Sequence, residues 1–384
     1  MTDINAMLPE DNRRTGKRVR IAFVGLGRRG LATLGRYMLL RPYAEAAALV
    51  DVDPKRVARG AEIVAHAGEK SPRRFSGPNA FEDFLRDPDV DITFISTQWT
   101  AHASMAVRAM EMGCDVAVEV PLATTEADCR AVVSTARRTG RFCFMLENCC
   151  FDPFHLATLR AVGEGLLGAP VHLEGAYIHD LRSLFASDGG WLSAESLSHP
   201  GNPYPTHGLG PMVQLLRAAD PADALQTVVA VSGHAAGGDA CSGVHVSSAL
   251  LRTRSGASML LQYDVTTPRP YSRLQSVCGT QGYMSKYPLP MVCLDGQPAL
   301  QGPEALAWTE ARPHPWAAEY APEARRLGHP NLMNYIMDRR LLHCVACGLP
   351  PDIAPEDAAQ WSAVAELTAR SSLAGGIPLD IPTF

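Results

Sequence analysis

The feature that most restricts what this chain can fold into is a glycine pattern placed directly after an apolar run. Val19–Val24 reads as a buried strand, and Gly25-Leu26-Gly27-Arg28-Arg29-Gly30 follows it at the start of a helical segment, about residues 28–40. The first glycine permits a tight turn and the second lets a diphosphate approach the backbone. The third lets helix and strand pack closely, with the helix N-terminus facing the phosphates. Alone the pattern is common. Here a second apolar run, residues 46–52, carries Asp51 at its end, 21 residues beyond Gly30, where a carboxylate can hold both ribose hydroxyls. The spacing predicts a dinucleotide site on Gly25, Gly27, Gly30 and Asp51. The charge of Asp51 repels a 2′-phosphate and so favours NAD over NADP. Arg28 and Arg29 stand where either reaches a phosphate, or else line a solvated helix start.

The rhythm continues past the motif. Strands are expected at residues 92–96, 115–118 and 142–146, separated by helices at 101–112 and 126–139. Asp53-Pro54 has the form of an N-cap followed by proline at the first helical position. Strand and helix in alternation imply a doubly wound parallel Rossmann sheet over residues 18–148. From Pro170 the texture changes to longer alternating strands at 171–179, 227–232, 244–252, 257–263 and 274–278. Turn signals at Gly237-Gly238, Ser255-Gly256 and Gly279–Gly282 divide them. That pattern predicts an α+β domain with an open, mainly antiparallel sheet over residues 149–384, closed by helices at 333–347 and 355–370. Residues 295–322, rich in Pro and Ala, read as a long surface excursion, and residues 1–17 as a flexible leader.

Composition narrows the partners. With 384 residues, 46% of them hydrophobic, two domains can each bury a core. A net charge of −5 spread over both signs leaves no basic stripe, so neither nucleic acid nor an anionic membrane is an expected partner. No apolar run reaches the ~18 residues a membrane helix needs. Arg13-Arg14 is followed by the first strand rather than by an apolar signal segment, so a cytoplasmic location is expected. The 10 cysteines, including adjacent Cys149-Cys150 and the Cys344–Cys347 pair in a helical pattern, match no zinc or redox spacing. They read as reduced thiols, with no metal centre.

Four further stretches carry a resemblance: Glu119-Val120-Pro121, Leu146-Glu147-Asn148-Cys149-Cys150, Tyr177-Ile178-His179-Asp180-Leu181-Arg182, and the segment from Gly201 through Asn202-Pro203-Tyr204-Pro205-Thr206-His207 to Pro211. With the glycine-rich loop they make the chain similar to the Gfo/Idh/MocA oxidoreductases over nearly its whole length. Within that group it most resembles the NAD-dependent hydrolases of glycoside hydrolase family 109. Lys286-Tyr287-Pro288 adds a weaker echo. Ordinary dehydrogenases of the superfamily have Glu-Lys-Pro where this chain has Glu119-Val120-Pro121. The lysine assists proton transfer at the hydroxyl being oxidised, and Val120 cannot.

The resemblance implies where the parts lie. NAD would rest on the glycine-rich loop with Arg28 and Arg29, on Asp51, on the Trp99–His102 loop, on Glu119-Val120 and on Asn148. Substrate contacts would come from Tyr177, Tyr204, Pro205, Thr206, His207 and Tyr287. Proton transfer would pass to His207, with Tyr177 and His179 as further candidates, since an imidazole titrating near neutrality suits acid–base work. The implied reaction is hydrolysis of a hexoside or N-acetylhexosaminide by transient oxidation at C3, loss of the C2 proton with elimination at C1, water addition and re-reduction. Two positions depart from the family's usual pattern. Phe151 stands where a tyrosine is usual, and Leu192, after Trp191, stands where an arginine contacts the sugar. Two other readings stay open: a sugar or cyclitol dehydrogenase, and a ligand-binding homologue without activity. By analogy the chain is expected to form a homodimer or homotetramer.

Overall fold

The computed structural model describes residues 18–185, 190–235 and 244–384. The leader at residues 1–17 and the Gly237-Gly238 turn lie outside the described residues.

Apolar strands alternating with half-apolar helices need a sheet covered on both faces, and that is how the first half folds. β1 (Val19–Val24), β2 (Ala44–Asp51), β3 (Arg73–Ser76), β4 (Ile92–Ile95), β5 (Asp115–Val118) and β6 (Cys143–Met145) form a parallel sheet in the order β3-β2-β1-β4-β5-β6. The order reverses between β1 and β4, which opens a crevice at their carboxyl ends where such sheets bind ligands. Asp53 caps the following helix as expected, its side chain accepting the Lys55 N–H. Edge-to-face contacts among Phe23, Tyr37 and Phe94 fill one side of the sheet. β3 escaped the sequence reading. It is an edge strand whose residues Arg73-Arg74-Phe75-Ser76 are half-buried or exposed, so it has no apolar run to announce it.

The second sheet has nine strands: β7 (Pro170–Ile178), β8 (Leu225–Ala235), β9 (Val244–Thr253), β10 (Ser258–Asp264), β11 (Ser276–Gly279), β12 (Gly282–Ser285), β13 (Met291–Leu294), β14 (Leu300–Gln301) and β15 (Leu379–Asp380). Their order is β14-β13-β12-β11-β7-β10-β9-β8-β15. Only β7 and β10 pair in parallel among the described strands. The expected open, mainly antiparallel sheet is therefore present.

Two compact units result. One holds the parallel sheet, through Leu146, together with Glu319–Ala359; the other holds Glu147–Ala318 and Gln360–Thr383. The helix Leu332–Cys347 thus belongs with the parallel sheet. Buried Arg36 donates to Asp338 at 3.2 Å, Tyr43 donates to Glu323 at 2.6 Å, and the Arg339 guanidinium lies 3.5 Å from the Tyr43 ring centroid. Periodicity marks this segment as helix, but only packing tells which sheet it covers. The excursion expected at residues 295–322 is a correction. Helices Pro303–Glu310 and Pro315–Arg326 occupy most of it, each opened by a proline at its first position, and Trp316 and Tyr320 are buried. Among the described residues, no helix is long and apolar enough to cross a membrane.

Candidate functional sites

The glycine loop starts against the end of β4. Gly25 has φ +84°, and a Cβ there would stand 2.5 Å from the Ser96 carbonyl oxygen. Beside Gly27, by contrast, a Cβ would meet nothing within 4 Å. The middle of the loop therefore stays open for a close-approaching phosphate while its ends are pinned. Asp51 ends β2 with its carboxylate turned into this loop: Oδ2 accepts the Leu26 N–H at 2.6 Å and Oδ1 accepts the Asp53 N–H at 2.9 Å. Arg29 donates to Glu119 at 2.7 Å, and Arg28 is exposed. An open loop middle, an acidic residue at the end of β2 and a crevice between β1 and β4 fit a dinucleotide carrying a free ribose diol.

Other residues expected near the cofactor are buried. His102 is fully enclosed and hydrogen-bonds the carbonyls of Pro121 (2.8 Å) and Thr97 (3.2 Å), and burial lowers its pKa. That geometry ties the loop after β4 to the turn after β5. Trp99 and Val120 are also buried. Asn148 lies in the other unit, where it accepts a weak hydrogen bond from the Cys149 thiol.

In that unit, close backbone approach builds a cluster of polar rings. The helix Thr206–Ala219 meets β7 at two glycines: a Cβ on Gly175 would stand 2.4 Å from the Gly208 oxygen, and one on Gly208 would stand 2.6 Å from the Ala176 nitrogen. Backbones this close bring His207 against Tyr177, ring centroids 5.0 Å apart and edge-to-face. Tyr204 packs on both, at 5.1 Å from Tyr177 and 4.8 Å from His207. The loop carrying Tyr204, Pro205 and Thr206 is held by Asn202, whose Oδ1 accepts the Tyr204 N–H at 2.9 Å and whose own N–H donates to Thr368. Tyr177 Oη shares a 3.1 Å hydrogen bond with His179 Nδ1. His179 in turn packs on exposed Tyr271, and Tyr271 on Tyr287. His207, Tyr177, His179, Tyr204 and Tyr287, read from three separate motifs, thus line one continuous wall. Leu192, like Tyr177 and Tyr204, packs against the buried cluster of Leu181, Phe185, Tyr263 and Val265.

The strongest feature of this wall was not singled out from the sequence. Glu147, with a side chain 0% exposed, faces His207 Nδ1 with both oxygens, at 2.8 and 2.9 Å. Its Oε1 also accepts the Cys149 N–H at 3.1 Å. The donor atoms of Glu147, Cys149 and His207 all lie within 4.8 Å of one another, and a hydrogen bond joins the carboxylate to the imidazole. Burial works against charge on His207, yet Cys149 and Glu147 outweigh it and its pKa is pushed up to about 10. Glu147 moves the opposite way: burial favours its neutral form, but the imidazolium holds it below the ordinary carboxylate range. Both directions describe an ion pair.

A second buried carboxylate supports the far end. Asp152 caps the helix Pro153–Gly163 through the Phe154 and His155 N–H groups, and it accepts from Arg273 at 2.8 Å and from Lys286. Arg273 lies 3.5 Å from Tyr287 Oη. A small cavity of about 10 Å³, room for roughly one water, lies between His207, Glu174, Arg273, Gln275 and Ser276. Phe151 is fully buried and stacked on Trp316, with centroids 5.9 Å apart. Glu147, Tyr271 and Arg273 left no individual mark in the sequence, and Lys286 appeared there only as part of the Lys286-Tyr287-Pro288 echo. Glu147 did stand inside one of the motifs that carried the resemblance.

Comparison with known proteins agrees with both halves. Residues 19–147 match the family described as oxidoreductase family, NAD-binding Rossmann fold. Residues 154–242 and 242–384 match the glycosyl hydrolase 109 C-terminal domain. Among relatives, glycosyl hydrolase family 109 protein 2 of Phocaeicola vulgatus is 43% identical over 95% of this chain and 94% of its own length. An alpha-N-acetylgalactosaminidase of Bacteroides fragilis is 41% identical over 95% and 92%. Among solved structures, levoglucosan dehydrogenase in complex with NADH and levoglucosan has a TM-score of 0.74 at 16% identity, covering 95% of this chain and 100% of that one. Aldose-aldose oxidoreductase from Caulobacter crescentus gives 0.71 at 19%, over the same shares. At that identity the likeness concerns the fold.

Proposed function

The chain belongs to glycosyl hydrolase family 109, an NAD-dependent glycosidase of the Gfo/Idh/MocA type, and from that membership we propose that it hydrolyses a hexoside or N-acetylhexosaminide by oxidation at C3, elimination, water addition and re-reduction. The observation that carries this reading is the pairing of two proton-handling groups on one wall, the Glu147–His207 ion pair and the Tyr177–His179 hydrogen bond, in a chain whose Val120 cannot move a proton. Bound NAD supplies a reversible hydride acceptor and donor. Gly25, Gly27, Gly30 and Asp51, with Arg28, Arg29, Trp99, His102, Glu119 and Val120 of the same unit, would hold it, and Asn148 is a further candidate contact from the other unit.

The chain's own residues then supply the proton transfers. Oxidation at C3 makes the neighbouring C2 proton acidic, and a base must take it. Tyr177 suits this step, because His179 can accept the phenolic proton through their shared hydrogen bond. His207 serves the oxygen at C1. Tyr204 and Tyr287 offer hydroxyls to the sugar, and Leu192, which packs on the same buried cluster as Tyr177 and Tyr204, brings none of the donors a guanidinium would offer.

A panel of p-nitrophenyl glycosides tests the reading. Release of p-nitrophenol with no added cofactor, with NAD retained on the protein in native mass spectrometry and solvent deuterium at C2 of the product, is the expected result. Stoichiometric NADH from a free sugar, with no glycoside cleaved, would select the dehydrogenase reading instead. His207→Ala should lower kcat by about 10²–10⁴-fold; unchanged activity would point to another acid, and a wild type that cleaves nothing on the panel would favour an inactive homologue.

A further inference from the structure

Glu147 is the least exposed charged group on the wall, and both of its oxygens face His207. Both of its oxygens lie within 2.9 Å of one imidazole nitrogen, and Oε1 also accepts the backbone N–H two residues on. A buried carboxylate is costly unless matched by a cation and donors. This one is matched on both counts by a ring that is itself only 11% exposed. We propose that Glu147 is a positioning residue that fixes the Nδ1–H of His207 toward its carboxylate and so makes His207 the proton donor, not the base, in the glycosidase reaction.

The inference rests on the glycosidase reading and divides its proton work. In the eliminating step the C1–O bond breaks, its electron pair stays on the leaving oxygen, and that oxygen takes the Nε2 proton of His207. The imidazole left behind is neutral and keeps its Nδ1–H on Glu147. When water adds at C1, its hydroxyl bonds to carbon and its second proton returns to Nε2. The C2 proton leaves and returns separately, through Tyr177 and His179. Other groups facing the ring are Cys149 beside Glu147, Glu174 on β7, Tyr204 on the preceding loop and Arg273 across the small cavity. Of these, Glu147 alone offers two oxygens within hydrogen-bond distance.

The test combines a titration that needs no substrate with a kinetic profile that does. Nuclear magnetic resonance of 13C-labelled histidine, with His207 assigned by its absence in His207→Ala, should show this ring still protonated well above pH 8 and titrating near 10 in the wild type. In Glu147→Gln it should titrate lower than in the wild type, because burial disfavours the imidazolium and the carboxylate no longer offsets it. The alkaline limb of kcat/KM should move down with it, kcat at pH 8 should fall by about 10–100-fold, KM should change less than about threefold, and Glu147→Asp should restore part of the loss. If Glu147→Gln does not fold, the wild-type titration and Glu147→Asp still decide. A His207 that titrates near 6.5 in the wild type, or an alkaline limb unmoved in a folded Glu147→Gln, overturns the proposal. A wild-type ring titrating near 10 in a protein that cleaves no glycoside would overturn the glycosidase reading while leaving Glu147 as the holder of the His207 proton.

Discussion

A Cβ on residue 30 would stand 1.9 Å from the carbonyl oxygen of Gly25, so the two glycines meet with no room for a side chain between them. Gly27, between them in sequence, faces open space. The same motif thus contains one glycine required by packing and one required by ligand approach. Gly30→Ala should disrupt the loop, lowering stability by about 1–3 kcal/mol or abolishing soluble protein. Gly27→Ala, at an ordinary φ of −68°, should keep the wild-type melting temperature and lose NAD. Thermal unfolding beside native mass spectrometry separates the two outcomes, and equal damage from both variants would contradict this division.

Tyr177 joins its neighbours through its ring face and through its hydroxyl. Tyr177→Phe keeps the packing on Tyr204 and His207 while removing the bond to His179. Activity should fall by about 10²–10⁴-fold with little change in melting temperature. A variant that loses stability along with activity would make the hydroxyl structural.

Asp152 holds Arg273 and Lys286 in the interior. Burial favours its neutral form, but the two cations hold its carboxyl well below the usual range. A carboxylate whose folded-state pKa lies below its unfolded value stabilises the fold above about pH 4, and that contribution fades as pH falls through the folded value. Asp152→Ala should therefore cost about 3–5 kcal/mol at pH 7, and progressively less below about pH 4. Urea unfolding of both proteins across that interval measures the difference, which would stay constant if the ion pair contributed nothing.

Phe151 is buried against Trp316, leaving no space for a solvated hydroxyl. Phe151→Tyr should lower stability by about 1–3 kcal/mol through a buried unpaired group, with KM unchanged. A rise in kcat would place that position in the proton path after all.

Much of the architecture was legible because it is written locally. Apolar runs of strand length, proline after a capping Asp53, and glycines at fixed offsets each act within a few residues, and the parallel sheet follows from their alternation. β3 was not legible, since an edge strand of Arg73-Arg74-Phe75-Ser76 has little apolar face to show. The motif residues His207, Tyr177, His179 and Tyr204 could be named as candidates, but not as neighbours.

Turns, caps and periodicity are short-range physics, so the glycine turn, the acidic end of β2, the two sheet types and the residue kinds available for proton transfer could be read from the chain alone. Tertiary structure alone decided that Glu319–Ala359 packs with the parallel sheet, and that Gly175 meets Gly208. It also decided that Glu147 sits under His207, 60 residues away. Those outcomes depend on which surfaces exclude water together, and the charge state of an imidazole is set by what burial places beside it.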